Sequence, residues 1–281
     1  MYTDCIQGLS DGNQILGEFP NLKDTNICFK GKNNILYCEP GVTLVGSELI
    51  FFANNSVIYL GTNRNEYKIY VAVHNDTVFH MGIHNYINKI MTVLLAEQRH
   101  VFIGDYGMFS WGIWIRNSDA HLIYECGTKT RINPTKSVYI GDHVWVGQES
   151  LIMKGTQIDS GSIIGAKSVI SGKKIPHNSI WAGNPARQIK HDIFWDRAYV
   201  HPYKSDMTEN VLYYDDYIEK FHHDYHSDGW IYDYTESESI DYNEMDSLLN
   251  GLNTSQKKVE YLIQLNNCKE KNRFVHKNII T

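Results

Sequence analysis

The sequence predicts an all-β solenoid, a parallel β-helix with one loop thrown out of the coil and a helical appendage behind it. Three observations predict it. Ile140, Val146, Ile152, Ile158, Ile164 and Ile170 fall on a strict hexad. Gly follows three hexad positions, at Gly141, Gly147 and Gly165, and Ser or Thr stands two positions ahead of others, at Ser150, Thr156, Ser162 and Ser168. The same hexad appears at Ile103, Phe109 and Ile115, with Gly104 at the bend, and then fails to reach Ile140 in register. Neither an α-helix nor an ordinary sheet needs a period of six. A prism of short strands does, because each flat side takes about six residues and one aliphatic side chain per side points to the axis. Glycine serves the bends, where freedom at φ is useful.

The elements follow in chain order. Residues 1–26 carry little periodicity and are expected to form an irregular lead-in. Residues 27–190 form the β-helix domain. Its early coils are degenerate, with apolar pairs such as Val42/Leu44, Ile58/Leu60 and Ile69/Val71/Val73 between polar residues and Asn/Gly turns. Met91 to Gln98 is ambiguous, since Ile87, Ile90, Met91 and Leu94 also fit one face of a helix. The regular coils run from Val101 to about Ile189. Between Ile115 and Ile140 the chain leaves the coil and returns, so residues 116–136 are the excursion, closed by an Asn-Pro turn signal. A loop leaving a rigid scaffold is where function concentrates. Residues 191–281 form a mostly helical extension, with helical spacing at Met245, Leu248, Leu249 and Leu252 and again at Val259, Leu262 and Ile263. Such an appendage is expected to cover the last coil, whose open edge otherwise invites association. The acidic run from Glu236 to Asp241 reads as a solvated face.

Composition narrows the function classes. The 281 residues carry a formal net charge of −6, against the basic face that a nucleic-acid binder needs. Five cysteines, odd in number, widely spaced and without a CxxC pair, read as reduced thiols. The N-terminus has neither a basic start nor an apolar run, and no stretch approaches 18 uninterrupted apolar residues. These features predict a soluble, cytoplasmic protein without a membrane span.

Two stretches, IGDHVWVGQESLIMKGTQIDSGSIIGAKSVIS and IPHNSIWAGNPARQIK, resemble the hexapeptide-repeat acyltransferases. Members of that family are left-handed β-helices, usually trimeric, that move acetyl from acetyl-CoA to a hydroxyl or amine. Left-handedness is implied by the resemblance, since crossovers are right-handed by default. IRNSDAHLIY, the INP turn and the WDR that follows NPARQIK are similar to the bacterial sialic acid and polysialic acid O-acetyltransferases. The resemblance therefore implies a homotrimer, acetyl-CoA as co-substrate, and an acceptor hydroxyl on a bacterial cell-surface glycan such as a sialylated capsule or lipooligosaccharide. Another envelope sugar or a nucleotide-sugar is the alternative acceptor.

His121, in Ser118-Asp119-Ala120-His121, is the candidate general base. Histidine has a pKa suited to taking a hydroxyl proton near neutral pH, and the position matches the family's S-D-x-H motif. Asp119 either holds the imidazole tautomer or caps the turn. Trp145 lies between Val144 and Val146; if those face inward it faces outward, where a neighbouring subunit, the pantetheine arm or the acceptor could cover it. The family places a Trp in the active site here. Trp111 and Trp114 face outward by the same logic, and either line the acceptor cleft or pack between subunits. The resemblance assigns acetyl-CoA contacts to Gln148, to Ala166 and Lys167 in GAKS, to Lys173, and to Arg187 and Lys190 in NPARQIK. The neighbouring Lys174 competes with Lys173, because SGKKIP is one residue longer than the usual bend. Arg116, Lys129, Arg131 and Lys136 concentrate positive charge about the excursion and suit an anionic acceptor, a nucleotide-sugar phosphate or plain solvation. A zinc site is not expected, because His74, His80, His84 and His100 lie outside the regular coils and no second histidine stands beside His121.

Overall fold

A computed structural model of the chain describes residues 4–221, 231–232 and 242–267. Among them, sheets of eight, eight, six and two strands, parallel except for the last strand of the six, run along the three sides of a prism. The first side stacks eight strands, from Cys5–Gln7 through Trp114–Arg116 and Leu151–Met153 to Val169–Ile170. The second stacks eight, from Gln14–Gly17 through Val101–Ile103 and Val138–Ile140 to Lys174–Ile175. The third begins with Asn21–Lys23 and Thr43–Val45 and continues from Tyr86–Ile87 through Trp145–Val146 to Ile180–Gly183. The hexad residues Ile103, Phe109, Ile115, Ile140, Val146, Ile152, Ile158, Ile164 and Ile170 are all buried in one axial core. The repeating hydroxyls also have a structural cause. Ser150, Thr156 and Ser162 are buried in the corners and donate to the carbonyls of Gly165, Ile170 and Pro176 in the coil above, at 2.8–3.3 Å.

The early coils differ in length. The axial residue advances 22 positions at each step from Ile27 to Leu49, Val71, Val93 and Ile115, but 18 from Ile152 to Ile170. The surplus is seen where the first side turns into the second. Five residues join Phe51 to Val57 there, whereas three join Met153 to Gln157. Asp11, Asn33, Asn55 and Asp76 hold left-handed φ of 53–59° at this turn in successive coils, a conformation that Asn and Asp tolerate. Asn side chains tie the turns together: Asn34 N–H donates to Asn13 Oδ1, and Ser56 N–H donates to Asn34 Oδ1, each at 2.9 Å.

Several expectations are corrected. Residues 5–23 are not an irregular lead-in; they form the first coil, paired with strands Asn26–Phe29, Ile35–Cys38 and Thr43–Val45. Met91–Leu94 is a strand, with Met91 and Val93 inward. The open end of the third side is closed by the antiparallel hairpin of Ile180–Gly183 with Ala186–Lys190. The helices Tyr242–Gly251 and Ser255–Asn267 do not cover that last coil. They lie against the outer surface of the second side.

Why they lie there is legible in the strands. Val57 and Tyr59 point outward while Ile58 and Leu60 point to the axis, yet all four are buried. Tyr37, Tyr59, His80, Phe102, Tyr139 and Tyr242 stack in one column with centroid separations of 4.2–5.5 Å. Met245, Leu249, Val259, Leu262 and Leu265 complete a second core over that column. Aromatic stacks of this spacing add to the burial of their area. The acidic run Glu236–Asp241 and Cys268 lie outside the described residues.

If the helices are integral to the fold, truncating Leu249 or Leu262 to Ala removes a fully buried side chain and should cost about 2–5 kcal/mol in denaturant unfolding. Wild-type stability in both variants would show that the helices are detached in solution.

Candidate functional site

The excursion leaves the first side after Arg116 and rejoins the second side at Val138. Its ends are pinned by polar contacts. Asn117 Nδ2 donates to the carbonyls of Arg99 (2.8 Å) and Ala96 (3.2 Å) in the coil below. Arg131 forms a two-pronged ion pair with Glu97, both contacts 2.9 Å, and Thr135 donates to the same carboxylate. The Arg131 hydrogen bonds hold the Glu97 carboxyl below its ordinary pKa. Further out, Tyr124 and Arg131 bridge in antiparallel fashion, so the loop is a short, irregular hairpin.

His121 sits on this hairpin, exposed. Asn133 fixes its backbone, with Nδ2 donating to the His121 carbonyl at 2.7 Å. The same Nδ2 donates to Asp119 Oδ2 at 3.0 Å, and Lys154 Nζ donates to that oxygen at 2.6 Å. Lys154 above all, then Asn133, holds the Asp119 carboxyl below its ordinary pKa. Asp119 therefore braces the root of the loop through Lys154 and Asn133, and no contact joins it to the His121 ring among the described residues. Lys154 and Glu97 were not singled out from the sequence. Neither lies in a motif, and only the folded coil brings them within reach of residue 119 or 131.

Arg131 was expected at the acceptor, but its guanidinium is neutralised by Glu97. Arg116 Nε donates to the Ser118 carbonyl at 2.9 Å, while Lys129 and Lys136 are exposed. Trp114 projects from the first side with 46% of its surface exposed, and Trp111 is 37% exposed at the corner between the third and first sides.

Trp145 faces outward on the third side, as alternation requires, but its own chain half-covers it. A strap formed by residues 193–197 runs down the corner between the second and third sides. Ile193 N–H donates to the Asn178 carbonyl, and Arg197 donates to the carbonyls of Gly107 and His84. Between these anchors Trp195 lies flat on His143, with centroids 3.8 Å apart, and its indole is 5.9 Å from that of Trp145. Trp195 Nε1 donates to the His143 carbonyl at 3.0 Å, and His143 Nε2 donates to the Trp195 carbonyl at 2.9 Å. Burial pushes the His143 ring down to about 4, so it is neutral. Trp145 Nε1 is buried without a hydrogen bond among the described residues.

The candidate acetyl-CoA residues fall into two groups. Gln148, Ala166 and Lys167 stack in successive coils at the corner between the third and first sides, where Lys167 N–H donates to the Gln148 carbonyl at 2.8 Å. Coils approach closely here: a Cβ on Gly147 would lie 2.6 Å from the Ala166 nitrogen. Lys167 Nζ pairs with Glu149 at 3.2 Å. Arg187 and Lys190 are exposed on the terminal hairpin of the third side, in no ion pair among the described residues. Lys173 stands elsewhere, at the corner between the first and second sides, above Lys154 and the root of the His121 loop. His121 and Lys173 thus occupy the prism edge opposite the side that carries Trp145. Among the described residues no group of three or more His, Cys, Asp or Glu is placed to hold a metal ion, and no helix is long and apolar enough to cross a membrane.

With this geometry in place, residues 137–172 match the family described as Bacterial transferase hexapeptide (six repeats). Over these residues the chain carries the hexapeptide repeat. It is 27% identical over 190 residues to the polysialic acid O-acetyltransferase of Neisseria meningitidis, a match spanning 67% of this chain and 88% of that one. Among solved structures it is similar to the polySia-specific acetyltransferase NeuO, with a TM-score of 0.62 and 28% identity over 73% of this chain and 94% of the other. It is likewise similar to the polysialic acid O-acetyltransferase OatWY, with a TM-score of 0.59 and 26% identity over 77% of this chain and all of the other. The coil matches the left-handed β-helix of the hexapeptide fold.

The His143–Trp195 stack makes a pH prediction. A histidine whose folded pKa lies below its unfolded value destabilises the fold as pH falls, because the unfolded chain alone takes up the proton. The contribution of His143 is complete above about pH 6.5 and is lost toward pH 4. Asp159, pushed up to about 6 by burial, titrates in the same window with the opposite sign, so the clean reading is a difference. The stability gap between wild type and His143→Phe should shrink by roughly 1.4 kcal/mol per pH unit between 6.5 and 4. A gap independent of pH would mean that His143 is not buried neutral.

Proposed function

We propose that the chain is an acetyl-CoA-dependent O-acetyltransferase that acts on a hydroxyl of a bacterial cell-surface glycan, with sialic acid as the acceptor residue. The observation that carries the proposal is the braced loop. It presents an exposed imidazole whose ring makes no hydrogen bond or ion pair among the described residues, in the S-D-x-H stretch at residues 118–121.

In this reading one nitrogen of His121 takes the proton of the acceptor hydroxyl as its oxygen bonds to the thioester carbonyl carbon. The carbon–sulfur bond then breaks, and the proton passes to the leaving thiolate. Trp145 Nε1, without a partner among the described residues, can donate to an oxygen on the reacting groups. A pantetheine arm would run along the corner that carries Gln148 and Ala166, and exposed Arg187 and Lys190, with half-buried Lys173, suit the phosphates through charge-assisted hydrogen bonds.

His121 and Trp145 lie on opposite parts of one prism, so they can share a site only between copies. We therefore propose a homotrimer, the assembly usual in the family. The chain's own helices cover the second side and the strap covers the corner beside it, which leaves the first and third sides for contact. The exposed apolar residues Leu122, Ile123, Tyr124 and Ile132 on the loop fit contact with a neighbouring copy.

His121→Ala should lower kcat by roughly 10²-fold or more while the KM for acetyl-CoA stays within about twofold, since the base acts only in the transition state. Turnover close to wild type would make this histidine structural. Sedimentation should give three times the chain mass; an active monomer would sink the shared site.

The acceptor has its own test. Exposed Lys129 and Lys136 should steer an anionic glycan, and such attraction is screened over a Debye length of about 10 Å at 0.1 M salt. The kcat/KM for a sialylated acceptor should therefore fall as ionic strength rises. Equal, salt-independent acetylation of a neutral oligosaccharide would end the sialic acid reading.

A further inference from the structure

The appended helices build a cavity on the coil, away from Trp145 and its strap. It measures about 450 Å³ and lies between the turn joining the two helices and the corner from the first to the second side. Its wall on the coil is Asp76, Gln98 and Arg99; its wall on the appendage is Asn250, Leu252, Asn253 and Lys258. A cavity of this volume holds a small organic ligand such as a sugar residue.

The charges within it can be assigned by their partners. Lys258 is buried, and its ammonium donates to the carbonyls of Asn55 (3.0 Å) and Asp76 (3.3 Å) and to Asp76 Oδ1 (3.3 Å). Asp76 also receives a hydrogen bond from Asn55 Nδ2. Lys258 and Asp76 thus neutralise each other. In the same turn, Glu97 is taken by Arg131. Arg99 remains. Its Nη1 donates to the Gln98 carbonyl at 3.0 Å, and it forms no ion pair among the described residues. The lining therefore offers one guanidinium outside any ion pair, its charge offset in part by the nearby Asp246 carboxylate, the side-chain amides of Gln98 and Asn253, that of Asn250 beside His100, and one apolar surface from Leu252. A guanidinium matches a carboxylate, amides both donate to and accept from hydroxyls, and a leucine packs on a pyranose face.

The place of the cavity matters as much as its chemistry. Asn117, the first residue of the excursion, holds the Arg99 carbonyl, and His100 N–H donates to Ser137 Oγ at the other end of the excursion. The coil corner carrying Arg99 thus lies directly beneath the root of the His121 loop, about 5 Å away along the axis.

We infer that this cavity is a second acceptor subsite, which binds an acidic sugar residue of the same glycan chain whose other residue is presented to His121. The inference rests on the acidic-glycan reading above and extends it to a polymer held at two points. A chain gripped twice binds more tightly than either contact alone allows, provided that its length spans both sites.

The test is a calorimetric titration of the full chain with oligosialic acid in the absence of acetyl-CoA. Arg99→Gln removes the charge, and Asn253→Trp fills the cavity. Each should weaken binding roughly fivefold or more, as expected for loss of a charged hydrogen bond. His121→Ala should keep Arg99-dependent binding, and a neutral oligosaccharide of equal length should bind far more weakly. Arg99 is partly exposed, so that variant is expected to fold, and a wild-type melting curve checks this. Arg99→Gln binding oligosialic acid as tightly as wild type overturns the subsite. Equal affinity for the neutral oligosaccharide overturns its acidic chemistry. Arg99-dependent binding that is as tight for monomeric sialic acid as for the oligomer overturns the polymer assignment in favour of a free sugar. Because no transfer occurs in the titration, the two readings fail separately. A protein that binds oligosialic acid through Arg99 but acetylates no sialoside keeps the cavity and loses the proposed reaction.

Discussion

Everything in this molecule hangs on the axial stack of aliphatic side chains. Each short strand contributes one inward residue, and parallel pairing from coil to coil sets Ile115 under Ile152 and Ile152 under Ile170. A stack of this kind tolerates almost no slip, because a shift of one position turns the whole strand inside out. It tolerates insertion at the corners readily. The chain exploits that difference twice: in the longer Asn-rich turns of the early coils, and in the excursion that carries His121. The core fixes where the loop begins and ends, while Asn117, Glu97 and Lys154 fix how it stands.

The regular part of the coil was legible because its period is short and its inward residues are nearly all isoleucine. The first coil was not. Ile6, Ile15 and Leu22 point inward but only partly pack against the core, and the turns between them hold polar residues in left-handed conformations that interrupt the hexad. The position of the helices was hidden for a different reason. An outward column of Tyr59, His80, Phe102 and Tyr139 looks, in sequence, like a series of unrelated single residues, because its members are separated by whole coils. Only the register of the coil makes them neighbours. Trp195 was hidden likewise; it stands in the WDR tail noted for its resemblance, but nothing in the spacing ties it to His143 or Trp145.

The candidate site divides along the same line. His121, Trp145 and the small residues of the repeat bends could be found from motif and pattern, since each occupies a fixed place relative to the hexad. The supporting contacts could not, since they join residues far apart in sequence, such as Asp119 with Lys154 and Glu97 with Arg131. Placing the named residues on the prism also changes their meaning. One chain does not bring its own His121 to its own Trp145, so the chemistry proposed for both needs two copies of the chain.

Counting cations along the excursion overestimated the charge available to a ligand. Four basic residues there suggested a strongly positive rim, but Arg131 is bound to a carboxylate one coil below, and Arg116 supports the loop backbone. A surface ion pair of this kind contributes little to stability. Its larger effect here is geometric, since it ties the hairpin to the coil while removing a positive charge from the neighbourhood of His121. The same subtraction applied to the next corner has a different result: Lys258 pairs with Asp76, and Arg99 stands outside any ion pair, with Asp246 offsetting part of its charge. Local charge in this fold is therefore set by which corner each residue occupies: Lys129 and Lys136 keep their charge on the loop, and Arg99 stands outside any ion pair beneath it.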